Sequence, residues 1–161
     1  MQRVEKDYEE LLQLFNKHRV RYCIVGAYAV AFHAVPRYTK DIDLFVEPSE
    51  KNAERIIQAL EEFGFGSLKL TPSDFDRPGR IIQLGYEPVR VDLVTSIGGC
   101  TFKQVWKNRV KGIYGSQRVH LIGSNELIRS KRAAGRPQDK ADLELLHPKS
   151  KRNQRGTRRR P

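Results

Sequence analysis

Two aspartates set two residues apart, in Thr39-Lys40-Asp41-Ile42-Asp43-Leu44, carry the sharpest chemical signal in the chain. On a strand, residues i and i+2 point to the same face, so Asp41 and Asp43 would stand side by side. Like charges that close raise one another's pKa, so a structure seldom keeps such a pair without a cation. Hard divalent ions such as magnesium take an all-oxygen environment of this kind. The bland alternative is a solvent-facing strand with two ordinary acids. A third acid, Asp92, sits in the apolar run Val89–Val94, where a lone charge is costly unless paired or bound to metal. If its strand lies beside the first, three carboxylates converge, enough to hold two ions about an in-line phosphoryl-type transfer. If it does not, Asp92 is an outward-facing acid on a half-exposed strand. Finally, Val25-Gly26-Ala27 joins a β-rich run to a helical one. A glycine there lets the backbone approach a ligand, and the helix start offers free N–H groups to a phosphate.

The elements that must position these residues read as follows. Val4, Tyr8, Leu11, Leu12 and Phe15 recur at helical spacing. Arg21–Val25 is a short strand, Ala27–His33 a helix closed by Pro36, and Asp41–Val46 a strand. Ser49 caps a helix that runs to Phe63 and stops at Gly64. Phe65–Leu70 reads as a strand and Thr71–Gly79 as a loop. Arg80–Leu84 and Val89–Thr95 are β-rich runs joined by Gly-Tyr-Glu-Pro, and Phe102–Arg109 is a helix. Val110–Ile122 forms a hairpin turning at Gly115 and Ser116. Ser124 caps a helix to Ala134, and Pro137 opens a last one ending near Leu146. The order implies an α+β domain with a mixed sheet and helices packed on one side, plus C-terminal helices.

A glycine turn before a helix, a strand with Asp-x-Asp and a later strand with one Asp resemble the nucleotidyltransferase superfamily of the DNA polymerase β type. Arg37-Tyr38-Thr39-Lys40-Asp41-Ile42-Asp43 is similar to the Arg-x-Thr-x-Asp-hydrophobic-Asp form of the minimal, toxin-like members, among them the AbiEii toxins. The stretch from Lys131 to Leu143, with Arg136, Asp139 and Asp142, resembles the Lys-x-x-x-x-Arg-x-x-Asp-x-x-Asp-Leu motif of the same group. The resemblance spans about Tyr22–Leu146. It implies that Asp41, Asp43 and Asp92 are catalytic residues and magnesium ligands. It implies that Gly26 and Ala27 form the phosphate-binding turn, and that Lys131 reaches the nucleotide phosphates. Ala27 departs from the family's usual second Gly or Ser, keeping the N–H but lacking a hydroxyl. Arg37 and Thr39 flank the carboxylates and either contact phosphate or brace the strand. Arg136, Asp139 and Asp142 read as braces between the last helices. The activity implied is transfer of NMP from an NTP to an acceptor hydroxyl, with an RNA or tRNA 3′ end as one acceptor and an antitoxin as a partner of toxin-like members.

The chain has 161 residues and a formal charge of +11, from 30 Lys and Arg against 19 Asp and Glu. That length suits one domain, taken as residues 1–146, and the charge suits an anionic partner. Seven basic residues and no acid lie between His147 and Pro161, a tail read as disordered and able to touch nucleic acid. A non-catalytic RNA-binding module working through that tail is the rival function. Two cysteines make no disulfide framework, and Cys23 reads as a buried hydrophobe. The acidic, polar start is no secretory signal and no apolar stretch is long enough for a bilayer, so a cytoplasmic protein without membrane contact is expected.

Overall fold

The computed structural model describes residues 5–36, 39–86 and 89–146. Six strands form one mixed sheet in the order β3-β4-β2-β1-β6-β5. They are β1 (Tyr22–Val25), β2 (Asp41–Val46), β3 (Ile81–Tyr86), β4 (Val89–Val94), β5 (Val110–Tyr114) and β6 (Gln117–Leu121). β1 runs antiparallel to β2 and parallel to β6, while β2 and β4 run parallel. The helices are α1 (Lys6–Lys17), α2 (Gly26–His33), α3 (Glu50–Phe63), α4 (Phe102–Lys107), α5 (Ser124–Ala134) and α6 (residues 137–146). This is the expected α+β architecture.

Alternation along the central strands divides the core. Tyr22 and Ile24 of β1, Ile42, Leu44 and Val46 of β2, and Val91 and Leu93 of β4 face α1 and α3, where Leu11, Leu12, Phe15, Ile56 and Leu60 complete a buried cluster. Cys23, Val25 and Phe45 point to the opposite face and pack with Phe102, Val105, Leu127 and Leu146 from α4, α5 and α6. Asp41 and Asp43 share the period of Phe45, so the two acids project on the side of the C-terminal helices. Those helices therefore close over the chemistry, while α1 and α3 supply the rigid back of the sheet.

Two polar residues lock the central strands. Asn52, 1% exposed on α3, accepts from the Arg21 N–H and donates to the Arg21 and Glu47 carbonyls. It thereby ties the start of β1 to the end of β2. Ser49 caps α3 as expected, its hydroxyl accepting from the Asn52 N–H, and Gly64 ends the helix at φ 108°. Two details differ from the sequence reading. Phe65–Leu70 is not a strand but holds a 3-10 turn at Gly66–Leu68, because Lys69 turns left-handed at φ 55° and breaks extension. Gly123, not Ser124, occupies the N-cap of α5, and Ser124 is its first helical residue. Among the described residues no helix is long and apolar enough to cross a membrane.

Candidate active site

The parallel pairing of β2 with β4 sets the site. In this register Asp41 lies opposite Arg90 and Asp43 opposite Asp92. Val25 of β1 flanks Asp43 on the other side, and Gln83 of β3 flanks Asp92. One rung of the sheet thus reads Val25, Asp43, Asp92, Gln83. The next rung on the same face of the sheet reads Asp41, Arg90, Gly85.

Directly after Val25 the chain turns into α2 at Gly26, with φ +70°. A Cβ at this position would collide with the Asp43 carboxylate and lie 3.0 Å from its Cγ. Two constraints therefore select glycine: a left-handed backbone and the carboxylate pressed against it. α2 has no side-chain cap, so its first N–H groups remain available to an anion.

A cavity of about 360 Å³ opens over this rung. Its floor includes Gly26, Asp43, Asp92, Gln83 and Val94, and its roof includes Ile97, Ser130, Lys131 and Arg136. The glycine pair after Ile97 holds that roof close to α5. A Cβ on Gly98 would meet the Ala133 Cβ at 2.9 Å, and one on Gly99 would meet the Arg129 carbonyl at the same distance.

The floor gathers negative charge in a largely buried place. Burial, then the neighbouring Asp92 carboxyl and its hydrogen bond, push the Asp43 pKa up to about 7, with Asp41 adding to the rise and Lys131 opposing it. On the next rung Arg90 donates from Nη2 to Asp41 Oδ2 at 2.8 Å, and its Nε lies 3.6 Å from Asp92 Oδ1. Oδ1 of Asp41 and Oδ1 of Asp92 are buried without a hydrogen-bond partner. Orphaned carboxylate oxygens beside a carboxyl driven towards neutrality are the donor set that a hard divalent cation satisfies.

The residues singled out from the sequence fall in three groups. Gly26, Asp43, Asp92 and Lys131 line one cavity. Asp41 stands one rung away with its carboxylate held by Arg90, and among the described residues no three His, Cys, Asp or Glu side chains are grouped tightly enough to hold an ion together. Ala27 and Thr39 are half-buried and lie outside the cavity lining. Arg37 and the tail 147–161 fall outside the described residues.

Lys131 is 7% exposed and bridges Asp139 at 3.0 Å and Asp142 at 3.1 Å, both fully buried. Arg136 adds a 2.7 Å pair to Asp139. Burial would raise the Asp139 pKa, but hydrogen bonds from Arg136 and Lys131 outweigh it and hold the group at about 2. The acids of the C-terminal motif are thus braces, as expected, and they fix the lysine at the cavity wall.

Arg90 and Gln83 join the site without having been singled out from the sequence. The signal for Arg90 is present there, since Arg90-Val91-Asp92 repeats the i, i+2 spacing of Asp41-Ile42-Asp43 and so shares the face of Asp92.

Residues 1–146 match the family described as a nucleotidyltransferase of unknown function, DUF6036. The chain belongs to that family. This nucleotidyltransferase also resembles solved structures with the same fold. The lincosamide antibiotic adenylyltransferase LnuA, solved with lincomycin bound, is 16% identical, with a TM-score of 0.54 over 91% of this chain and 98% of that one. The Thermotoga maritima protein TM1012 is 14% identical, with a TM-score of 0.59 over 89% of this chain and 94% of that one. ANT(2")-Ia, solved with adenylyl-2"-tobramycin, is 13% identical, with a TM-score of 0.55 over 86% and 84%. At these identities the likeness is one of fold. No curated protein is similar enough in sequence to match.

Proposed function

We propose that this nucleotidyltransferase moves NMP from an NTP to an acceptor hydroxyl at the cavity lined by Gly26, Asp43, Asp92 and Lys131. The observation that carries the reading is the placement of Asp43 opposite Asp92 with Gly26 pressed against the Asp43 carboxylate. Asp43 and Asp92 are the residues that would hold magnesium, and Asp41 would join them only on leaving Arg90. Bound there, the ion would neutralise triphosphate charge and polarise the α-phosphoryl group.

The chain's own groups do the rest. Gly26 lets the phosphates approach the backbone, and the uncapped start of α2, including the Ala27 N–H, donates to them. Lys131 and Arg136 line the opposite wall, where their charges are balanced by Asp139 and Asp142, and the exposed Arg136 side chain is the group that would swing to the phosphates. In this reading Asp92 accepts the proton of the attacking hydroxyl. The acceptor oxygen forms a bond to the α-phosphorus, the bond to the bridging oxygen breaks, and pyrophosphate leaves. Positioning and charge neutralisation supply most of the rate, as for phosphoryl transfer generally.

The acceptor we favour is an RNA 3′ end, because seven of the chain's basic residues are gathered in a tail without acids. The Arg37–Asp43 and Lys131–Leu143 motifs further suggest a toxin-like enzyme with an antitoxin partner. The small-molecule products of LnuA-like and ANT(2")-like neighbours supply the competing acceptor class. Incubation with α-labelled NTPs, magnesium and either tRNA or a hydroxylated antibiotic separates them. Label on RNA that Asp43→Asn abolishes supports the proposal. Label on the antibiotic alone replaces the acceptor, and equal labelling by Asp43→Asn removes the site.

A further inference from the structure

Arg90 is the charged residue beside these acids that the reaction above does not use. A guanidinium set among the carboxylates that should receive a divalent cation competes for the same oxygens. Its contacts show how it does so. Nη2 donates to Asp41 at 2.8 Å, a good charge-assisted bond. Nε reaches towards Asp92 at 3.6 Å, close enough for an ion pair but too far for a hydrogen bond. That Nε, Oδ1 of Asp41 and Oδ1 of Asp92 are all buried and have no hydrogen-bond partner. The guanidinium's single charge therefore pairs with Asp41 and only partly offsets Asp92, and it leaves one oxygen of each acid unsatisfied.

The backbone beneath it is held at a second point. The Tyr8 hydroxyl donates to the Lys40 carbonyl at 2.6 Å and lies 2.9 Å from the Arg90 carbonyl, and the Arg90 N–H points back to it at 3.2 Å. α1 thus clamps the entry to Asp41 and the backbone of Arg90 at one point. The Arg90 side chain remains 30% exposed, although its Nε is buried.

We propose that Arg90 is an internal counter-ion, which holds Asp41 and partly screens Asp92 in the metal-free protein and is displaced when the divalent cation enters. It is a positioning residue: it keeps Asp41 and Asp92 together before loading and sets how tightly the metal binds. The proposal rests on the reading of Asp41, Asp43 and Asp92 as metal ligands.

The test is binding of Mn²⁺ alone, followed by electron paramagnetic resonance, to the full chain and to Arg90→Gln, Arg90→Lys and Asp43→Asn. Removing a unit charge a few ångströms from the ion is expected to tighten Mn²⁺ binding about tenfold or more in Arg90→Gln. Arg90→Lys should stay near the wild-type affinity. Arg90→Gln should also melt lower than wild type in EDTA and recover more of its Tm when Mn²⁺ is added. An arginine with only a packing role would lower Tm equally with and without Mn²⁺ and leave the affinity unchanged, which overturns the proposal. So does weaker Mn²⁺ binding by a folded Arg90→Gln. If wild type and Asp43→Asn bind Mn²⁺ alike, the metal-site reading itself fails and takes the Arg90 proposal with it. Should Arg90→Gln not fold, Arg90→Met replaces it, with the same outcomes.

Discussion

Replacing Asp43 by Asn should make the metal-free protein more stable while destroying its function. Burial beside Asp92 lifts the Asp43 pKa from an unfolded value of 3.8 to about 7. The folded state therefore holds this proton more tightly than the unfolded chain does. Its contribution is fully favourable below the unfolded pKa and is lost as pH rises through the folded one. A difference of about three pH units corresponds to about 4 kcal/mol at pH 8, a ceiling because the charge is shared with Asp92. Asn removes the buried charge and keeps the shape. In EDTA at pH 8, Asp43→Asn should gain about 2–4 kcal/mol, or on the order of 5–10 °C in Tm for a domain this size. At pH 4 the two proteins should melt nearly together. Thermal unfolding by circular dichroism across pH 4–8 reads both ends. With MnCl₂ and a non-hydrolysable NTP the order should reverse, since only the wild type gains from ligand binding. A lower Tm for Asp43→Asn in EDTA at pH 8 would refute the reasoning.

Gly26→Ala meets both a left-handed backbone and the Asp43 side chain, so it should cost about 1–3 kcal/mol in urea unfolding and weaken NTP binding with it. Lys131→Met leaves Asp139 and Asp142 buried without their shared cation, and should cost about 3–5 kcal/mol, with hydrogen exchange showing α6 released first. Truncation after Leu146 should leave NTP binding intact while RNA affinity falls and its salt dependence flattens, measured by fluorescence anisotropy. Overproduction should arrest growth if the enzyme is toxin-like, and Asp43→Asn should relieve the arrest; vigorous growth at high expression counts against that role.

The central strands are legible in the sequence because their alternation is strict. Ile42, Leu44 and Val46 against Asp41, Asp43 and Phe45 mark which side of β2 carries the acids. Asp92 is legible as a charge in an apolar run. The pairing register that sets it opposite Asp43 is not, because parallel strands far apart in the chain carry no local mark of alignment. The C-terminal braces are readable from residue type, but the burial of Lys131 is not, since a lysine in sequence looks the same exposed or enclosed. The 3-10 turn at Gly66–Leu68 escapes because apolar residues with a left-handed Lys69 do not announce a break. Arg90 escapes for a different reason: an arginine on a strand ordinarily snorkels to solvent, and only the strand register shows it facing Asp41.

The account stands on Asp43 and Asp92 acting as one cation site beside the Gly26 turn. A crystal structure soaked with MnCl₂ and a non-hydrolysable ATP analogue, read at the manganese absorption edge, tests it most directly. We expect an anomalous peak coordinated by Asp43 and Asp92, with Asp41 released from Arg90 and the analogue's phosphates against Gly26. Bound nucleotide with no peak at these carboxylates, or with Arg90 still seated on Asp41 and the phosphates elsewhere, would contradict it.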